Sequence, residues 1–204
     1  MAGPRRGEFW QEFVEGDPQA AIFCATASGC ELVGVTRQLV GQSWLHAPPF
    51  RYCGSVGPLA AGPPLASALH SLGGLLARDA GLRGLFGIDG VLRDGAFWPV
   101  EVNPRYPASV EVLEHANGLR SLRLHRLAFE DPAAALAEPL PSAGGAIVGK
   151  AVLYARAGAV FPADGPWLAS LDPCRSVGDM SDFAADAAGA RADCPCPVCR
   201  ALSI

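Results

Sequence analysis

Apolar positions run with small and polar ones through "AAIFCATASGCELVGVTRQLVG". Ala21, Ile22, Phe23 and Cys24 precede the turn residues Ser28 and Gly29, and Leu32, Val33, Gly34 and Val35 follow. A run broken once by turn chemistry predicts two strands of an antiparallel meander, with "EFWQEFVEG" as a strand before them. The proline- and glycine-rich "APPFRYCGSVGPLAAGPP" predicts a structured loop rather than a regular element. Leu65, Leu69, Leu72, Leu75 and Leu76 recur near helical spacing behind Pro64, which suits a first turn, so a helix is predicted from 64 to about 80. Residues 84 to 103 read as a hairpin, "LFGIDGVLR" and "FWPVEVN" around a turn at Asp94 and Gly95. Ser109 is placed to cap a helix through Val112 and Leu113 to Asn117 and Gly118, with a second helix over 119–129. "EDPAAALAEPLPSAGG" reads as a linker, and "AIVGKAVLYAR" as a strand that opens a small β subdomain. The expected fold class is α+β, with an antiparallel sheet and flanking helices over 1–130, a linker over 131–145 and a small β-rich extension over 146–204.

Composition adds a core and removes some partners. The 204 residues are 50% hydrophobic, which supports a packed interior, and 16 basic against 20 acidic residues give a net charge of -4. With no cationic run, neither nucleic acid nor an anionic membrane is expected as a partner. No apolar run reaches the ~20 residues of a membrane span, and "MAGPRRGEFWQEF" is not followed by the apolar stretch of a secretory signal, so a cytoplasmic protein is expected. Lys150 is the only lysine among the basic residues.

Cys24, Cys30 and Cys53 fit reduced thiols. In the tail, Cys194, Cys196 and Cys199, with Cys174 as a fourth, lack the paired C-x-x-C spacing of a zinc site, and an unremarkable tail is preferred to zinc. His46, His70, His115 and His125 read as packing or surface residues, and Trp44 and Trp98 as core or loop anchors.

The chemistry concentrates in the hairpin. If its strands pair, Asp89 and Glu101 lie opposite each other, with Asn103 two residues beyond Glu101 on the same face. Three oxygen ligands in one place suit a hard divalent cation such as magnesium. Pro104 turns the chain, and Arg105 brings a fork of donors suited to phosphate or carboxylate. On spacing alone the same residues also describe a charged surface turn, with Glu101 paired to Arg105 and Asn103 capping the next helix.

"GIDGVLRDGAFWPVEVNPRYPAS" resembles the metal-binding end of the ATP-grasp superfamily, which has an acidic residue on one strand and Glu-x-Asn, often Glu-x-Asn-x-Arg, on the next. The resemblance implies that Asp89, Glu101 and Asn103 hold one or two magnesium ions, with manganese as the alternative, bridging the phosphates of ATP. It also implies that Arg105 stabilises a phosphate or acyl phosphate. "WQEFVEGDPQAAIF" is similar to the family's adenine hinge. There the backbone of Glu12, Phe13 and Val14 would pair with the adenine edge, and Gln11 and Gln19 would lie near the exocyclic amine and the ribose. "GVTRQLVG" is similar to the central strand, which makes Arg37 and Gln38 lesser candidates, Arg37 reading equally well as a solvated strand residue.

The resemblance covers about residues 8–130. It implies the C-terminal part of an ATP-grasp domain and a carboxylate-amine ligase-like activity acting on ATP and a small carboxylate. The family's phosphate-binding lysines precede the hinge, and Lys150 follows the metal motif, so Lys150 is neither of them. The expectation is therefore the C-terminal portion of a ligase, truncated or split from an N-terminal half, with a non-catalytic nucleotide-binding remnant as the alternative.

Overall fold

The computed structural model describes residues 10–140 and 146–156. Strands β1 (Asp17–Ala25) and β2 (Cys30–Val40) are followed by a 3-10 turn (Ser43–Leu45) and β3 (Tyr52–Leu59). Helix α1 (Pro63–Asp79) leads to β4 (Gly84–Arg93) and β5 (Ala96–Asn103). Helices α2 (Val110–Asn117), α3 (Ser121–Glu130) and α4 (Pro132–Ala137) precede β6 (Val148–Ala151). The six strands form one antiparallel sheet in the order β5-β4-β1-β2-β3-β6.

Both faces of the central strand are covered, which is why β1 is apolar at consecutive positions rather than at alternate ones. On one face Ala20, Ile22, Cys24 and Leu85 pack with Val110 and Leu113 of α2, Leu124, Leu127 and Ala128 of α3, and Ala135 of α4. On the other, Ala21, Phe23, Ala25, Val35, Phe86 and Ile88 meet Leu69 of α1. The Phe23 and Phe86 rings stack at 5.1 Å. Helix α1 comes so close that a Cβ on Gly73 would lie 2.5 Å from the Phe23 ring, so a small residue is required there.

The predicted meander, leucine-striped helix, hairpin and paired helices are all present. Asp94 and Gly95 take positive φ of 51° and 78°, the backbone of a tight hairpin turn. Gly118 ends α2 with a left-handed φ of 67°, while Ser109 stands at its N-cap without a capping side-chain bond.

Four expectations are corrected. Of "EFWQEFVEG", residues 10–16 form no strand, and pairing begins at Asp17. The segment read as a loop contains β3, which includes a cis Gly57-Pro58 bond and Gly54 at a positive φ of 148°. The linker contains α4, started by Asp131, whose carboxylate accepts the Ala134 N–H. The strand expected to open a separate subdomain, β6, instead joins the main sheet beside β3. The Cys174, Cys194, Cys196 and Cys199 cluster lies outside the described residues. Among those described, no helix is long and apolar enough to cross a membrane.

Candidate functional site

Sheet register decides which side chains share a face. Ala20 pairs with both Asp89 and Thr36, so these three and Gln38 point to the side that carries α2, α3 and α4. Those helices cover the end of the sheet nearest Ala25. The other end of the same face is an open groove of about 1180 Å³, lined by Gln11, Glu12, Phe13, Val14, Gln38, Tyr52, Asp89, Glu101, Asn103 and Arg105. The hinge-like segment and the charged hairpin, about eighty residues apart in the chain, thus border one cavity.

The hairpin reaches this geometry through an irregularity. Around the Asp94-Gly95 turn the register runs Arg93 to Ala96, Leu92 to Phe97, Val91 to Trp98 and Gly90 to Pro99. Continued regularly, it would set Val100 opposite Asp89 and turn Glu101 to the far face. A bulge between Asp89 and Gly90 skips one residue and pairs Asp89 with Glu101. Pro99, on the edge strand, has no N–H to give the ladder, which makes the break inexpensive there. Gly90 is required by the same close approach, since a Cβ would lie 2.4 Å from the Phe97 ring and 2.6 Å from the Trp98 carbonyl.

Asn103 is buried and donates its amide Nδ2–H to Asp89 Oδ2 at 3.2 Å, while its Oδ1 accepts from Arg105 Nη2 at 3.0 Å. The three predicted ligands and Arg105 are therefore together, with the Asn103 oxygen turned to the guanidinium rather than to the carboxylates. Burial pushes the Asp89 carboxyl up from its ordinary value and the facing Glu101 adds to this, against the Gln38 and Asn103 hydrogen bonds and the Arg105 charge. Two carboxylates facing each other with an amide beside them form an all-oxygen set, short of a cage yet matched to a cation that keeps water or phosphate in its other positions. Among the described residues no three His, Cys, Asp or Glu side chains cluster to hold a metal without that help.

A raised folded value means that ionising Asp89 costs stability. Without metal, the contribution of Asp89 to stability is fully present below the ordinary carboxyl range and is lost as pH rises through the raised folded value. Asp89→Asn is expected to raise the thermal midpoint in chelator at pH 7 and to reduce the part of its pH dependence that the Asp89 carboxyl contributes. A variant that melts lower than wild type under those conditions would contradict this account of the site's charge.

Two candidate residues lie elsewhere. Gln19 pairs with Arg37 and Gly90, so both Gln19 and Arg37 sit on the face of Ala21, opposite the groove. Arg37 binds Asp17 (Nε to Oδ1 2.7 Å), and Gln19 also donates to Asp17, at 3.0 Å. Neighbouring strand residues point to opposite faces, so of the pair Arg37 and Gln38 only Gln38 enters the groove.

Lys150 extends from β6 and pairs with Glu111 of α2. His125 Nδ1 accepts the Leu85 N–H at 3.0 Å, and His46 Nδ1 lies 2.9 Å from the Tyr154 carbonyl, both in line with packing roles. Trp44 is exposed rather than a core anchor, and Trp98 borders the groove. Cys24, Cys30 and Cys53 are free, and burial pushes Cys24 and Cys30 up to about 11 and about 12, leaving them poor nucleophiles.

Sequence reading missed Tyr52 and Phe50. Tyr52 lines the groove with its hydroxyl 2.9 Å from Ser55 Oγ, and burial pushes it up to about 12, so it acts as a neutral hydroxyl. Its signal was there in the strand residues Tyr52 and Cys53, concealed by the surrounding prolines and glycines.

The sequence profile of the family described as ATP-grasp domain matches residues 3–109. No curated protein matches the chain. Among solved structures, the chain resembles phosphoribosylglycinamide synthetase from Anaerococcus prevotii (TM-score 0.57, 15% identity, 74% of this chain and 38% of that one). It also resembles an L-amino acid ligase from Bacillus licheniformis (TM-score 0.54, 15% identity, 78% and 40%). A third likeness is to an ADP complex of N5-carboxyaminoimidazole ribonucleotide synthetase (TM-score 0.50, 16% identity, 68% and 34%). The chain spans well under half the length of each of these proteins.

Proposed function

Because the chain belongs to the ATP-grasp family, we propose that it is the ATP- and magnesium-binding portion of a ligase that activates a carboxylate as an acyl phosphate and couples it to an amine or similar nucleophile. The observation that carries this reading is the single groove shared by the hinge segment, Gln38 and the Asp89, Glu101, Asn103 and Arg105 cluster. Likeness to solved structures supports the fold, and one of those structures is an ADP complex.

Each part of the groove has a chemical task. Residues 11–15 belong to no strand, so their backbone N–H and C=O groups are available to the edge of a planar base. Val14, Val91 and Trp98 supply apolar wall to its faces. Asp89 and Glu101 hold a divalent cation beside the phosphates, with Asn103 completing the oxygen set once its amide turns over. Magnesium bound there neutralises phosphate charge and aligns the phosphoryl group for transfer. Arg105, whose Nη2 gives up the Asn103 oxygen when that amide turns over, directs its donors to the transferred phosphoryl or to the acyl phosphate oxygens.

One observation favours a second reading. Among the described residues, Arg105 is the only lysine or arginine lining the groove, since Lys150 is tied to Glu111 and Arg37 to Asp17. Phosphoryl transfer depends on charge stabilisation, so this chain would bind nucleotide without turnover, as a remnant or as one subunit of a split enzyme. Calorimetry with ATP, with and without magnesium, followed by phosphate release across a panel of carboxylates and amines, separates the two. Release with at least one pair supports the ligase, and magnesium-dependent binding without release supports the second reading. No binding under either condition would refute both.

A further inference from the structure

At the mouth of the groove the chain makes a tight turn whose central residue is ill suited to it. Residues 48–51 close with Arg51 N–H donating to the Pro48 carbonyl at 3.1 Å, and Gly41 N–H donates to the Arg51 carbonyl at 2.8 Å. Pro49 stands at the second position and Phe50 at the third, with φ +61°. A turn with proline second and positive φ third normally takes glycine or asparagine third, because a Cβ is strained in the left-handed region. Here the position carries a large ring that is 81% exposed.

Burial does not explain that choice. Among the described residues the ring's aromatic partner is Phe13 of the hinge, also mostly exposed, edge-on at a centroid distance of 6.1 Å. One edge contact between two solvated rings does not offset a left-handed phenylalanine. Both rings border the groove, beside residues 11–15, which belong to no strand.

We propose that Phe50 is a base-contacting residue, which the strained turn holds over the hinge so that, with Phe13, it closes on the face of a purine ring. This rests on the nucleotide reading above and adds a contact from outside the hinge and metal segments. A purine presents more π-surface than a pyrimidine, so the ring also favours adenine over uracil nucleotides.

The test uses the full chain and three proteins: wild type, Phe50→Gly and Phe50→Trp. Calorimetry with MgADP and MgUDP is paired with thermal unfolding. The glycine variant relieves the turn, so it is expected to melt no lower than wild type while binding MgADP about tenfold more weakly. Its MgUDP affinity falls by a smaller factor. The tryptophan variant keeps a π-face and holds MgADP within about twofold of wild type. A glycine variant that binds MgADP as tightly as wild type overturns the proposal and leaves the nucleotide reading standing. Lost binding accompanied by a melting point lower by more than about 3 °C makes the ring a structural support and also overturns it. A wild-type chain that binds neither nucleotide overturns the nucleotide reading and this inference together.

Discussion

Replacing Glu101 by alanine is expected to remove the metal-dependent part of ATP binding, weakening MgATP at least ~30-fold, or ~2 kcal/mol. Binding of ATP in chelator should stay within about twofold, because the hinge residues 11–15 are not part of the Asp89–Glu101 pair. The size of the effect follows from the donor set. Asp89 and Glu101 are the only facing carboxylates of the hairpin, and Asp89 alone leaves a divalent cation with one protein charge. Loss of a ligand's supporting partner typically costs 10–100-fold in metal affinity, and loss of a ligand costs no less. Manganese binding read by paramagnetic resonance gives a direct check. Unchanged MgATP affinity in Glu101→Ala would end the metal assignment, whatever became of the hinge.

Gly54→Ala should be the most damaging change remote from the groove's chemistry, at about 3 kcal/mol or more. Gly54 holds φ 148°, and a Cβ there would lie 2.1 Å from the Lys150 carbonyl oxygen and 3.1 Å from Ala151 Cα. Those are backbone atoms of the facing strand, so no rotamer change relieves the clash. The β3–β6 pair must separate, exposing the small cluster of Leu45, Ala47, Cys53 and Ala151. Gly74→Ala serves as the control: its Cβ meets nothing within 4 Å, and in the interior of α1 it should stabilise by up to ~1 kcal/mol. Urea denaturation of both variants compares them, and a cost below ~1 kcal/mol for Gly54→Ala would mean that β6 is not held on the sheet as described.

Periodicity made the strongly patterned elements legible. The leucine spacing of α1, the paired apolar runs of β1 and β2 and the Asp94-Gly95 turn each carry their signal within a few residues. β3 escaped because proline and glycine punctuate it, and its strand character depends on neighbours at Arg37, Gln38 and Lys150 that local pattern does not reveal. For the same reason Tyr52 and Phe50 were not read as groove residues. Gln19 and Arg37 lie off the groove through face parity. A resemblance between strands transfers residue types, while one-residue steps along a strand change the side of the sheet.

What the sequence determined by itself was the chemical inventory and its neighbourhood: an acidic residue and a Glu-x-Asn-x-Arg run on the two arms of one hairpin, a hinge-like segment upstream and enough apolar residues to bury a sheet on both faces. Only the tertiary structure decided which of those residues meet. The Asp94-Gly95 turn taken alone would pair Asp89 with Val100, and one skipped residue beside Pro99 pairs it with Glu101 instead. That step depends on a proline unable to complete the ladder and on a glycine under the Phe97 ring and the Trp98 carbonyl, contacts that arise once the strands have come together. The joining of the hinge to the hairpin rests likewise on β1 lying between β4 and β2, a placement set by burial of both faces of the sheet rather than by any local signal in either motif.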